Sequence, residues 1–169
     1  VSTLRGPLPL TADHEVDEFR SGDPVLDGWL RTRALRNQAE GASRTWVVLE
    51  GRTVVAFYAS STAVVLRSAA PGRPARNQPD PLPALLLARL AVDERHQGEG
   101  LGAALLKHFL LKALEVAELV GVRLLFVHAA TPEAAAFYEH HGFERSPLDE
   151  LTLLLLVKDL SVASRPGSG

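Results

Sequence analysis

The chain has 169 residues, 46% apolar and 22% charged, the balance of one ordinary globular domain and not of a disordered segment. It has no cysteine, which excludes disulfides, a thiolate nucleophile and a cysteine-based zinc site. The formal charge of −2 excludes a protein that coats nucleic acid with its whole surface, so any basic surface must be local.

Residues 1–12 carry Gly6, Pro7 and Pro9 and read as an extended lead-in. Asp23 followed by Pro24 is a helix start: a carboxylate that can cap free amides, then a ring whose fixed φ suits the first turn. The spacing predicts one helix through Gln38, with Val25, Leu26, Trp29, Leu30 and Leu35 on its apolar face and Gly41 ending the region. Runs rich in Val, Thr and aromatics at 45–50 and 53–66 predict two strands, joined by a hairpin turn at Glu50-Gly51-Arg52. From 67 to 83, Pro71, Gly72, Pro74, Pro79, Pro81 and Pro83 predict a long loop without regular structure, a length that usually accompanies function or motion. Ala84–Val92, apolar except for Arg89, predicts a central strand buried on both faces.

Gly100 to about Val120 has helical periodicity, with Leu101, Leu105, Phe109, Ala113 and Val116 on one stripe. A second buried strand is predicted at Val122–His128. Thr131-Pro132-Glu133 opens a short helix to about His140, stopped by Gly142, and Leu151–Val157 predicts a last strand. That strand holds the longest purely apolar run, far too short to span a bilayer, and no segment resembles a secretory leader, so a cytoplasmic protein without a membrane partner is expected. The element order predicts a single α/β (α+β) domain over residues 1–160, a central mixed twisted sheet flanked by helices, and a flexible C-terminal tail at 161–169.

The sharpest chemical signal is Gln97-Gly98-Glu99-Gly100-Leu101-Gly102-Ala103, between a predicted strand and a predicted helix. Closely spaced glycines expose backbone N–H groups, and the helix start adds partial positive charge, which together suit a pyrophosphate. The same glycines also suit a sharp strand-to-helix turn that binds nothing. Gly98-x-Gly100-x-x-Ala103 formally fits the dinucleotide pattern, but Asp93–Gln97 separate it from the strand, and the next strand leads to His128 instead of an acidic residue. A Walker loop needs Gly-Lys-Ser/Thr, which is absent.

Gln97-x-x-Gly100-x-Gly102 also matches the Q/R-x-x-G-x-G/A motif of the GNAT N-acetyltransferases. Leu90-Ala91-Val92 resembles that family's splayed fourth strand. Phe137-Tyr138-Glu139-His140-His141-Gly142-Phe143, preceded by Ala134 and Ala136, resembles its late F-Y-x-x-x-G-F signature. The ordered set covers about residues 10–158 and identifies the chain as similar to this family. The resemblance implies acetyl-CoA as co-substrate. It implies that the backbone of Gln97, Gly98, Glu99, Gly100, Leu101, Gly102 and Ala103 holds the CoA pyrophosphate, and that Leu90, Ala91 and Val92, with Phe137, flank the pantetheine arm. It implies a backbone oxyanion donor near Val92 and Tyr138 as the acid that protonates the departing thiolate, a role that requires contact because a phenol of pKa about 10 is the weaker acid. The bland reading of Tyr138 is a core aromatic beside Phe137.

Arg31, Arg33, Arg36 and Arg44 crowd the first helix and its exit, and Arg67, Arg73 and Arg76 follow without an acidic residue between Leu66 and Gln78. Such clustering suits either a phosphate backbone or solvated surface. Leu26-Asp27-Gly28-Trp29-Leu30, Ala34–Gln38, Gly41–Thr45, Arg76-Asn77, Pro79–Pro83, Arg89–Asp93 and Ser146-Pro147-Leu148 resemble the GNAT toxins of bacterial toxin–antitoxin pairs, although Gln78 stands where the pattern commonly has Met. That resemblance implies acetylation of the α-amino group of aminoacyl-tRNA, inhibition of translation, RNA contacts from Arg33, Arg36, Arg73, Arg76, Asn77 and Arg89, a ribbon-helix-helix antitoxin and a homodimer. The rival expectation is a GNAT acting on a small-molecule or protein amine. An α-amine of pKa near 8 is substantially neutral at cellular pH and needs a strong base less than a lysine does; neither Glu94 nor Glu99 stands out as one. Arg89 inside a buried strand either touches RNA or pairs with a carboxylate. His140 and His141 are expected to point apart, and His96, His108 and His128 have no i+4 partner, so no metal is expected.

Overall fold

A computed structural model of the chain describes residues 3–70 and 79–163, with side chains to residue 160. The elements are β1 (Leu4–Pro9), α1 (Pro24–Thr32), α2 (Ala34–Ala39), β2 (Arg44–Glu50), β3 (Thr53–Val65), β4 (Leu82–Val92), α3 (Leu101–Leu119), β5 (Leu124–His128), α4 (Pro132–His140), β6 (Glu144–Arg145), β7 (Thr152–Leu156) and α5 (Val157–Ala163). The strands form one mixed sheet in the order β1-β2-β3-β4-β5-β7-β6. The chain divides into two compact units, Val1–Ser61 with Ala88–Phe109, and Thr62–Leu87 with Leu110–Gly169.

In the first unit β1, β2 and β3 run antiparallel. The β2–β3 hairpin closes through Gly51 and Arg52, with Glu50 opposite Thr53 and Gly51 at φ +63°, the left-handed conformation that a two-residue turn favours. Successive β3 residues point to opposite faces. Phe57 is fully buried against Phe19 at 5.4 Å, edge to face, and against Trp29 of α1 at 6.1 Å, stacked. Tyr58 lies against α3, its ring 5.9 Å from Phe109 and its hydroxyl 2.6 Å from His108 Nδ1.

The helix expected as one continuous element to Gln38 is two. Asp23 caps α1 as anticipated, its carboxylate accepting from Val25 N–H (2.9 Å) and Leu26 N–H (3.3 Å). The chain then breaks at Arg33 (φ −125°, ψ −32°) and restarts as α2. The break resets the helical phase, so Ala34 is fully buried while Leu35 is 42% exposed; Val25, in the first turn of α1, is 76% exposed. The sheet selects a small residue at that contact and leaves two expected core residues in water.

In the second unit β4 pairs parallel with β5 from Ala84↔Leu124 to Leu87↔Val127, and β7 runs antiparallel to both β5 and β6. Val65, Leu82, Ala84, Leu124, Phe126 and Leu156 are part of its core. The strand–helix–strand path through α3 is the crossover that a parallel pair requires.

Two expectations for this stretch are corrected. Arg67–Ala69 form a short 3₁₀ turn, and β4 starts at Leu82 and includes Pro83. A proline lacks the N–H of a ladder partner and is tolerated near a strand's beginning; here the Pro83 carbonyl accepts from Arg123 N–H at 2.9 Å. Nor is β4 buried on both faces throughout. Ala84, Leu85 and Leu87 are buried, but Ala88, Arg89, Leu90 and Val92 are only half-buried, because the β5 ladder stops at Leu87. The backbone of the expected tail is helical to Ala163 in α5, and residues 164–169 lie outside the described residues.

Candidate functional site

Where β4 ends, Asp93 turns the chain. Its carboxylate is buried and accepts from Arg20 N–H (3.1 Å), Arg95 N–H (3.0 Å) and the Arg95 guanidinium (2.9 and 3.3 Å). Burial alone raises such a carboxyl; the hydrogen bonds from the Arg95 side chain and backbone and from the Arg20 backbone outweigh it and hold Asp93 below its ordinary value. A short 3₁₀ turn, Glu94–His96, follows. His96 lies between two carboxylates, with Nδ1 3.0 Å from Glu99 and Nε2 3.5 Å from Glu50.

Gln97 then fixes the loop. Its Nε2 donates to the carbonyls of Ser21 (2.8 Å) and Val92 (2.9 Å), tying the turn to the end of β4. Both amide donors are thus engaged within the protein, so the side chain is a strut and only the main chain has a donor left to offer an anion.

Gly98 and Gly100 both sit at φ +83°, and a Cβ on either meets nothing within 4 Å. Glycine is needed here for backbone direction, and the space above the loop is open. The first helical bond is Ala104 N–H to Gly100 O at 3.1 Å. The N–H groups of Leu101, Gly102 and Ala103 therefore precede the helical ladder, and Gly100 has no side chain to cap them. This is an anion-binding arrangement of main-chain donors at the positive end of a 19-residue helix.

Leu90 and Val92 are half-buried on β4, while Ala91 is buried and its methyl belongs to the core of the first unit. Arg89, between them and the paired part of β4, does not pair with a carboxylate among the described residues; its Cζ lies 4.2 Å from the Trp29 ring centroid. Arg33 and Arg36 are exposed at the α1–α2 junction, Arg36 holding Glu40 at 3.1 Å. Arg73, Arg76 and Asn77 lie outside the described residues.

In the second unit Thr131 caps α4, its hydroxyl accepting from Ala134 N–H at 3.1 Å. The helix buries Tyr138, whose ring meets Phe137 at 5.2 Å and Phe143 at 5.8 Å. Burial pushes its phenol above the ordinary range, so at neutral pH it is a proton donor and never a base. Among the described residues its hydroxyl has no hydrogen-bond partner, and it is not one of the sealed polar atoms. Phe137 is half-buried, edge to face with His141 at 4.8 Å. His140 and His141, expected to point apart, have rings 5.3 Å apart, because His141 has already left the helix as its C-cap (φ −94°, ψ 15°).

The acetyltransferase (GNAT) domain model matches residues 41–145, a span that contains the Gln97–Ala103 loop and Tyr138. The chain belongs to the GNAT acetyltransferase family. Among GNAT relatives it is similar to the tRNA-acetylating toxin of Mycobacterium tuberculosis, at 45% identity over 159 residues that cover 94% of this chain and 96% of that protein. It is similar to the solved structure of AtaT complexed with acetyl-methionyl-tRNAfMet, with a TM-score of 0.86 and 27% identity over 95% of this chain and 98% of that one. A tyrosine-to-phenylalanine mutant of AtaT, bound to the C-terminus of the antitoxin AtaR and to acetyl-CoA, matches with a TM-score of 0.82 and 25% identity over 97% and 98%.

Asp93 and Trp29 fall within motif segments of the sequence, but sequence reasoning gave neither a role in this region. The available signal for Asp93 was a single carboxylate directly after an apolar strand and two residues before Arg95. For the pairing of Trp29 with Arg89 there was none, because the two are sixty residues apart in the chain.

Proposed function

We propose that this GNAT protein is a toxin that transfers acetyl from acetyl-CoA to the α-amino group of aminoacyl-tRNA and so arrests translation. The observation that carries the reading is the 45% identity, along nearly the whole chain, to a tRNA-acetylating toxin. The open start of α3 supports it chemically.

In this reading the main-chain donors of Gln97, Gly98, Glu99, Gly100, Leu101, Gly102 and Ala103 hold the pyrophosphate of acetyl-CoA. The backbone of Leu90, Ala91 and Val92 pairs with the pantetheine arm as with a strand, and Phe137 contributes apolar contact. An N–H near Val92 steadies the developing oxyanion. The substrate's α-amine is substantially neutral near pH 7, so its lone pair forms the new C–N bond without a strong base as the C–S bond breaks. Tyr138, protonated and without a protein partner among the described residues, then protonates the thiolate, and the proton that the nitrogen sheds as it becomes an amide passes to water, from which the phenol is restored. Arg33, Arg36, Arg73, Arg76, Asn77 and Arg89 contact the RNA.

The partners in this reading are a ribbon-helix-helix antitoxin and a second copy of the chain, in the cytoplasm. Among the described residues no helix is long and apolar enough to cross a membrane.

The test is incubation of the purified protein with labelled acetyl-CoA and a total pool of charged tRNA, beside uncharged tRNA and free amino acids. Label only in the charged pool, lost in Tyr138→Phe, is expected. Acetyl-CoA binding without label on charged tRNA overturns the reading and redirects it to small amines and protein N-termini.

A further inference from the structure

Arg89 is the only charged residue in β4. A half-buried cation in an apolar strand normally takes a carboxylate or a carbonyl. Among the described residues the Arg89 guanidinium takes neither. Burial lowers its pKa, and no nearby charge offsets that.

What holds it is an aromatic stack. The guanidinium lies over one face of Trp29, at 4.2 Å from the ring centroid. Trp29 also stacks on Phe57, with ring centroids 6.1 Å apart and 13° between the planes, and Phe57 is braced edge-on by Phe19. Phe19 and Phe57 are fully buried, so the stack is anchored in the core. A cation held over a ring is fixed in position while its N–H donors are left without acceptors. Arg89 is therefore a pre-oriented, unpaired fork, and the anion that such a fork fits is a phosphate or carboxylate.

The substrate decides between them. The α-carboxyl of an aminoacyl-tRNA is consumed in its ester, so the anions that every such substrate presents are the phosphates of its RNA. The pyrophosphate of acetyl-CoA has the α3 amides in the reading above. Arg33 is exposed on the α1–α2 segment that carries Trp29.

We propose that Trp29 is a positioning residue that presents Arg89 to a backbone phosphate at the acceptor end of the RNA substrate. The inference rests on the proposed function, but its test does not depend on turnover.

The probe is an uncharged acceptor-stem RNA hairpin ending in CCA, titrated over a range of salt, with steady-state acetylation of charged tRNA in parallel. Arg89→Gln is expected to weaken hairpin binding roughly tenfold, as for one charge-assisted hydrogen bond. It should also reduce the slope of log affinity against log salt by about one. Trp29→Leu, which removes no charge, is expected to give most of the same loss and the same change of slope. The double variant should bind no more weakly than Arg89→Gln alone. Arg89→Lys keeps the charge and the fold but not the planar fork, and is expected to lose several-fold. KM for acetyl-CoA should stay within about twofold throughout.

Full hairpin affinity in Arg89→Lys, additive losses in the double variant, or an unchanged salt slope overturns the proposal. So does a raised KM for acetyl-CoA with RNA binding intact, which assigns the fork to a CoA phosphate. If the wild-type protein fails to acetylate charged tRNA while hairpin binding responds as stated, the toxin reading falls and the Arg89–Trp29 assignment stands. Acetylation with hairpin binding indifferent to Arg89 gives the converse.

Discussion

The helices α3 and α4 begin in opposite ways. At α4, Pro132 has no N–H to satisfy and the Thr131 hydroxyl accepts from Ala134, so the first turn is closed by its own sequence. At α3, Gly100 offers no side chain, and the amides of Leu101, Gly102 and Ala103 are left ahead of the first helical bond. The same backbone chemistry is internally satisfied in one case and presented to solvent in the other. The residue at the cap decides whether a helix start is structure or a binding surface. Correspondingly, α3 has main chain to offer a ligand, and α4 has one side chain, Tyr138.

The largest test of that division is Tyr138→Phe. It keeps the buried ring and its contacts with Phe137 and Phe143 and removes only the hydroxyl. If α4 supplies a proton donor, kcat falls by roughly a thousandfold. Acetyl-CoA affinity and the thermal midpoint should be unchanged, and steady-state kinetics beside calorimetry check both. Next in size is Gly100→Asp, which gives α3 the kind of cap that α1 and α4 have. The carboxylate would accept the free amides and add negative charge where an anion should sit. Acetyl-CoA affinity should fall about a hundredfold. Gly100→Ala is the control. Its Cβ meets nothing, so only the φ of +83° is strained, and it should cost about 1 kcal/mol of stability. Unchanged acetyl-CoA affinity in Gly100→Asp would remove the α3 amides from the binding surface.

The contrast also marks what could be read from sequence. Closed helix starts are local chemistry: Asp23-Pro24 and Thr131-Pro132 each state an acceptor and a proline at fixed offsets, and both helices begin where those residues place them. The Gly51 turn and the α3 start are legible for the same reason. The break at Arg33 is not, because it depends on which of Ala34 and Leu35 the sheet accepts, and both suit a helix equally. The motif position of Gln97 identifies the residue but not the atoms it uses: its amide N–H groups serve Ser21 and Val92, and only its main chain has a donor left for an anion. The Arg89–Trp29 stack joins distant parts of the chain, and no local pattern specifies such a pair.

Asp93 supports the open end without belonging to it. Asp93→Asn weakens the acceptor of four hydrogen bonds, two of them from the Arg95 guanidinium, and should cost about 2 kcal/mol. Its pH dependence has a definite sign. A carboxyl held below its ordinary value contributes stability that is complete above the unfolded value near 3.8 and is lost as pH falls through the folded one. Denaturant midpoints of wild type and Asp93→Asn should therefore differ most at neutral pH and converge in acid. A gap that persists undiminished below pH 3 would assign the effect to packing in place of charge.

Thr131→Ala is the smallest change and completes the comparison from the other side. It opens the start of α4 by removing the acceptor of Ala134 N–H, as Gly100 leaves α3 open. The expected cost is about 1 kcal/mol, the usual value of a lost cap. Opening this end should create no acetyl-CoA site, because Pro132 still lacks an N–H and no glycine raises the preceding backbone into the left-handed region. Stability should fall while acetyl-CoA stoichiometry and affinity stay those of the wild type, as read by denaturant titration and calorimetry on one preparation. A second acetyl-CoA equivalent in Thr131→Ala would mean that free amides alone make the site, and that the paired glycines at 98 and 100 contribute nothing beyond leaving them free.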